Sequence, residues 1–316
     1  MTTESIQTGA GATPDNEQAT GIVLIISAAV AWSFAGTVSR FIHVEDVWTI
    51  VFWRSLFAAL FLLAFLLLRD GPRGTVRLFR NMGIPGAVTG LCLGVTAIGY
   101  VVALHYTTVA KVVLFLATVP LMTALFSWLI FRQRISATTW GAIAIVIVGV
   151  TLMVWDSLSG PGSVIGLAAA FIIAVAFAAS ALMTRRYPHI RMMPAVVFGL
   201  IAATAVAAFP ASYFLIPARE YGLIAIFGCF NLALGMAFFV TGARRLAPAL
   251  TTLLATLETV LAPLWVALVH GEIPSRNTFI GGGLIIVALA FHLTLEWREQ
   301  RKGRRIPAGP IPPPMP

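Results

Sequence analysis

Apolar residues run along this chain in blocks rather than in stripes. Stretches of mostly apolar residues fall at 21–39, 48–68, 84–104, 111–131, 138–155, 163–183, 194–215, 222–243, 248–269 and 277–295. About 20 such residues are needed for an α-helix to cross the hydrocarbon core of a bilayer. Charged residues gather in the short breaks between the blocks, which leaves no room for an extramembrane domain. The blocks are too long and too uniformly apolar for the alternating pattern of a membrane β-barrel. The pattern predicts an all-α integral membrane protein with ten transmembrane helices. Composition agrees: 59% of the 316 residues are hydrophobic and 10% charged, whereas soluble domains carry about a quarter charged residues.

Residues 1–20 contain no Lys or Arg, so the basic region of a cleavable signal peptide is missing. With Glu4, Asp15 and Glu17 this segment reads as a disordered cytoplasmic tail. Residues 296–316 read as a basic, Pro-rich cytoplasmic tail ending in IPAGPIPPPMP, an extended segment.

The net charge of +9 does not point to nucleic acid once the basic residues are mapped onto the breaks. Arg69, Arg73, Arg77, Arg80, Arg132, Arg134, Arg185, Arg186, Arg191, Arg244, Arg245, Arg298, Arg301, Lys302, Arg304 and Arg305 all fall on one side of a ten-span layout. Arg40, Lys111, Arg219 and Arg276 fall on the other, with Arg54 inside a span. Cytoplasmic loops are enriched in Lys and Arg, which predicts both termini in the cytoplasm, as in a bacterial inner (plasma) membrane protein. Trp48, Trp53, Trp155 and Trp297 near block ends suit interfacial anchors.

The two halves of the chain match each other. The stretch GIVLIISAAVAWSFAGTVSR from Gly21 aligns with GLAAAFIIAVAFAASALMTR from Gly166, pairing Trp32 with Phe177 and Arg40 with Arg185. LFLATVPLMTALFSWLIFRQRISATTW from Leu114 aligns with LLATLETVLAPLWVALVHGEIPSRNTF from Leu253. Residues 21–155 and 163–295 then form two five-helix repeats. An odd number of spans per repeat inverts the second relative to the first. Such inverted repeats are common in secondary transporters, with the site near the bilayer midplane between the halves and alternating access by rocking.

ALHYTTVAKVVLFLATVPLMTALFSWLIFRQRIS and RRLAPALTTLLATLETVLAPLWVALVHGEIPS resemble the fourth- and ninth-helix patterns of the drug/metabolite transporter superfamily, in particular its EamA-like family. The resemblance covers roughly residues 20–295. Glu258 matches the Glu of the family's Glu-Pro, and Gly271-Glu272 its Gly-Glu. Thr259 stands where the family has Pro, and Arg132-Gln133 where the first half has Gly-Glu. The resemblance implies ten helices in two inverted repeats and export or uptake of small metabolites.

Among the twelve acidic residues only Glu258 is deep in a block, about 15 Å from its start at 1.5 Å per residue. An acid at a helix centre costs roughly 2.5–3.5 kcal/mol on insertion scales. Glu258 is read as a proton-exchanging or amine-binding group, against the alternative of a structural carboxyl. Arg54, the one deep base, suits a substrate carboxylate, a partner for Glu258, or a side chain snorkelling to the outer headgroups. Asn231 suits an interhelical hydrogen bond or a ligand contact. Trp32, Ser33 and Tyr100 suit an aromatic wall with hydroxyls, or plain packing. Lys111 is read as interfacial or as a site residue. Pro120 and Pro263 are expected to interrupt their helices, the second freeing the carbonyl of Thr259 beside Glu258. Gly86, Gly90 and Gly94, four apart, predict a close-packing groove.

The function expected is secondary transport, as an exporter, of small polar or amphipathic metabolites, amino acids among them. Protons are a candidate coupling partner, and facilitated diffusion is the alternative mechanism. A receptor, a lipid scramblase or an intramembrane enzyme is the less favoured class. His43, His105, His189, His270 and His292 lie in loops or near block ends, and no nucleotide-binding fingerprint occurs, so no enzyme, cofactor or metal is expected. Cys92 and Cys229 read as small core residues. The expected partners are a small-molecule metabolite and the lipid bilayer, with no nucleic acid and the oligomeric state left open.

Overall fold

The computed structural model describes residues 14–132, 137–155, 163–187, 189–243, 245–246, 251, 254–255 and 257–303. Every regular element among them is helical. The first half contains α1 (Pro14–Ser33), α2 (Ala35–Arg40), α3 (Val47–Tyr106), α4 (Val109–Ala117), α5 (Val119–Phe131) and α6 (Ala137–Trp155). The second contains α7 (Ser163–Arg186), α8 (Met193–Ala208), α9 (Ala218–Ile226), a π-helical segment Phe227–Leu234, α10 (Gly235–Ala243), α11 (Leu257–His270) and α12 (Arg276–Gly303).

Among the described residues five helical stretches are long and apolar enough to cross a membrane: Glu17–Arg40, Val47–Tyr106, Val109–Ile130, Val164–Thr184 and Ala218–Ala243. Trp140–Leu152, Met193–Ala207, Leu257–His270 and Arg276–Ala288 are shorter apolar helices. Large apolar side chains such as Leu68, Ile84, Phe209 and Leu215 face outward, as expected of a body solvated by lipid. The length and apolar composition of these helices fit an integral membrane protein.

Helix α3 is too long for one rod. Its 60 residues would span about 90 Å at 1.5 Å per residue. Its two ends nevertheless share one core: Val47, Ile50 and Val51 pack with Tyr100, Val101 and Leu104. Two glycines fold it back. Gly71 has φ 71° and Gly83 has φ 54°, left-handed conformations that only glycine adopts without strain. The expected loop at 69–83 is thus a correction: it is helical between these glycines, with Pro72 early in the link, where a missing N–H is tolerated.

Other boundaries also differ. Helix α1 begins at Pro14, so residues 14–20, expected as disordered tail, are helical. Helix α12 continues to Gly303, into the expected extended tail. Helix α8 ends at Ala208 rather than near 215. The first block breaks at Phe34 and the fourth at Thr118. Pro263 interrupts nothing: α11 runs through it. Residues 1–13, 304–316, 248–250, 252–253 and 256, with Gln133, Arg134, Asp156 and Arg244, lie outside the described residues.

Close backbone contacts join the rods. A Cβ on Gly90 would meet the carbonyl oxygen of Ala195 at 2.5 Å, and one on Gly94 that of Gly199 at 2.6 Å. A Cβ on Gly199 would strike the Gly90 carbonyl. Two of the three glycines expected to form a groove thus seat α3 on α8. Gly86 instead faces Met82 of its own helix. Gly149 of α6 approaches Gly281 of α12 in the same way.

Polar side chains collect at the rod ends. Arg40 pairs with Glu272 at 3.1 Å and donates to the carbonyls of Leu104 and Thr107. Glu220 accepts from the His43 backbone N–H and pairs with Arg219. At another surface Asp70 pairs with both Arg69 and Arg191.

Candidate functional site

A cavity of about 210 Å³ opens among the helices. Its lining comes from both halves of the chain: Trp32, Arg54, Tyr100 and Pro120 from the first, Asn231, Glu258 and Thr259 from the second. Most of the remaining wall is aliphatic or aromatic, including Phe177, Met236 and Phe239.

Local sequence sets each polar group. Trp32 lies just before the break between α1 and α2, where Phe34 interrupts the helix. The Asn231 Nδ2 donates to the carbonyls of Ala31 and Trp32, at 2.8 and 3.1 Å. Those carbonyls belong to the last turn of α1, where intrahelical partners run out. Asn231 itself sits in the π-helical segment Phe227–Leu234, a wide turn of the kind often found at functional sites. Gly235, one turn on, leaves room for the Trp32 indole, since a Cβ there would collide with Trp32 Nε1.

Arg54 stands on α3 and is 3% exposed. Its guanidinium carbon lies 4.2 Å from the Phe227 ring centre and 5.5 Å from that of Tyr100. Gly228 lets the helices approach closely here, for a Cβ on it would meet the Arg54 carbonyl at 2.5 Å. Glu258 and Thr259 begin α11. Glu258 is partly buried and has no hydrogen bond or ion pair among the described residues. Arg54 and Glu258 therefore line one cavity without forming an ion pair.

Thr118 marks the break between α4 and α5 beside Pro120. Its hydroxyl donates to the Phe115 carbonyl at 2.7 Å and its N–H to the same oxygen at 3.0 Å. Pro120 has no N–H to offer to Leu116, so the chain tightens locally there.

Trp32, Arg54, Tyr100, Asn231, Glu258, Thr259 and Pro120 thus meet at one cavity. Ser33, Lys111 and Pro263 do not line it. Ser33 is fully buried, donates to the Val30 carbonyl and accepts from the Trp265 indole N–H at 3.1 Å. Lys111 lies in the first half of α4 and is partly buried. Phe227, Phe177, Met236 and Phe239 were not singled out from sequence, because aromatic and thioether side chains in apolar helices look alike wherever they point. The internal alignment held one signal. It pairs Trp32 with Phe177, and the offset that aligns Leu114 with Leu253 carries Val119 to Glu258 and Pro120 to Thr259. Trp32, Phe177, Val119, Pro120, Glu258 and Thr259 all line the cavity.

Comparison with known proteins adds to this geometry. The profile of the EamA-like transporter family matches residues 19–155 and again residues 160–294. The chain is 27% identical to the Pseudopaline exporter CntI of Pseudomonas aeruginosa over 251 residues, 76% of this chain and 83% of the relative, and the same holds for that protein in a second strain. A crystal structure 19% identical in sequence superposes with a TM-score of 0.64, covering 89% of this chain and 98% of the other. At that identity it is the fold that is shared.

Proposed function

The chain belongs to the EamA-like transporter family, and on that premise we propose that it is a secondary transporter exporting small polar or amphipathic metabolites by alternating access, with Glu258 as its proton-coupling group. The observation that carries this reading is the cavity, lined by both halves and holding a carboxylate that has no hydrogen bond or ion pair among the described residues. Export is favoured by the similarity to a Pseudopaline exporter. The architecture proposed is ten spans in two inverted five-helix repeats, 21–155 and 163–295, with both termini cytoplasmic in a bacterial inner membrane. The alignment of Val119-Pro120 with Glu258-Thr259 around one cavity supports the repeat.

In this mechanism Glu258 binds a proton while the cavity faces one side and releases it on the other. The rigid contacts at Gly90–Gly199 and Gly149–Gly281 let helices move as paired bodies. Proteoliposomes loaded with labelled amino acids and small organic acids, under an imposed pH gradient, test the reading. Glu258→Gln keeps shape but cannot ionise, and abolishes gradient-driven flux. Glu258→Asp keeps partial flux. Gradient-driven flux that persists in Glu258→Gln with unchanged pH dependence overturns proton coupling through this residue and leaves facilitated diffusion.

A further inference from the structure

Arg54 lacks the anion that its burial calls for. It is 3% exposed and its Nε has no hydrogen-bond partner. Among the described residues its one hydrogen bond runs from Nη1 to the Ala97 carbonyl at 3.4 Å, at the long limit for such a bond. The four ion pairs among the described residues all use other side chains. The rings of Phe227 and Tyr100 cover the guanidinium, and cation–π contact stabilises the charge. Ring faces do not, however, satisfy the N–H donors arrayed around the guanidinium edge. Tyr100 is 8% exposed, and its hydroxyl also has no partner. Both residues line the same cavity. A buried charge without a counter-ion is strongly destabilising, so two unsatisfied donor groups there point to an acceptor supplied from outside the chain.

We infer that the cavity takes its ligand by a carboxylate seated between the Arg54 guanidinium and the Tyr100 hydroxyl, with the ligand's apolar body against Trp32, Phe177, Phe239 and Met236. This rests on the transporter reading and names the substrate class: small amphipathic carboxylates. A planar guanidinium matches a carboxylate's two oxygens. Arg54 is the one base in the lining among the described residues, and Glu258 shares the cavity. That charge balance suits a monoanion or a zwitterion and disfavours a phosphate dianion. A zwitterion's amine would meet Glu258.

The test uses the full chain purified in detergent and follows its thermal midpoint with four probes: phenylalanine, 3-phenylpropionate, phenylalaninamide and phenethylamine. The first two, which carry a carboxylate, raise the midpoint; the last two, which lack it, do not. Arg54→Lys keeps the charge but loses the planar fork, and weakens apparent affinity for the two acids about tenfold. Tyr100→Phe weakens it in the same direction. Should Arg54→Lys fail to fold, the wild-type probe series and Tyr100→Phe decide. Equal protection by the amide or the amine, protection by none of the four, or unchanged affinity in Tyr100→Phe overturns the carboxylate site. Flux of labelled phenylalanine in proteoliposomes separates the two readings. Protection by the acids without flux overturns transport and leaves the site. Flux of the amine with no protection by the acids overturns the site and leaves transport.

Discussion

Asn231 and Asp46 each tie together segments far apart in sequence. Asn231 joins the π-helical segment to the end of α1 through two carbonyls. Asn231→Ala strands both, and loss of a buried hydrogen-bond partner costs about 1–3 kcal/mol. The expected result is a lower thermal midpoint in detergent. Asp46 caps α3, accepting from the Trp48 N–H, the Thr49 hydroxyl and the Ser212 N–H at 3.1, 2.8 and 2.7 Å. Burial acts to raise its pKa, but hydrogen bonds led by that from Ser212 outweigh burial and hold the carboxyl below its ordinary 3.8. A carboxylate lowered on folding contributes stability above its unfolded pKa and loses it as pH falls through the folded value. Asp46→Asn should therefore be less stable than wild type near neutrality. The difference should shrink as pH drops below 3.8, read as thermal midpoints across an acid series.

The contact between α3 and α8 rests on absent side chains. Gly199→Val drives a branched side chain into the Gly90 carbonyl, and overpacking of this kind costs about 1–3 kcal/mol. Gly222 in α9 is the control, since a Cβ there meets nothing within 4 Å. Gly222→Ala is expected to be neutral or to stabilise by up to about 1 kcal/mol, because alanine restricts the unfolded chain. A thermal-midpoint comparison that showed both substitutions equal would contradict the packing described. At the rod ends Arg40 has three partners, Glu272 and two carbonyls. Arg40→Ala should accordingly lower the midpoint more than Glu272→Ala, which removes only one of them.

For the whole molecule the contacts sort loops into two groups. From the link around residues 40–43, Arg40 reaches Thr107 and Glu272 and the His43 N–H reaches Glu220; Asp70 and Arg191 meet separately. In a chain with Cys92 and Cys229 replaced, cysteines at Arg73 and Arg191 are expected to label only from the cytoplasm, and those at Glu45 and Arg219 only from outside. Labelling of positions 73 and 219 from the same side contradicts the proposed ten-span topology.

Apolar blocks of bilayer length, broken by arginine-rich links, were enough by themselves to predict a helical membrane protein. Lipid forces every backbone group into internal hydrogen bonds, so block length and composition alone decide that outcome. The isolation of Glu258 was equally legible, because a lone acid in an apolar run needs no structure to be noticed. Tertiary structure decided the rest. Nothing in the residues around Ser33 and Phe34 signals a helix break, which is held by Asn231, a partner remote in sequence. Pro120 lies beside a break and Pro263 does not, since neighbouring helices determine whether a missing N–H opens the chain. The arginine-rich link between Gly71 and Gly83 reads as a loop by polarity, yet it is helical because two left-handed glycines turn the chain. Arg54 could have snorkelled to the headgroups. Its place between Tyr100 and Phe227 follows from the approach of α3 to the π-helical segment, which only the folded chain creates.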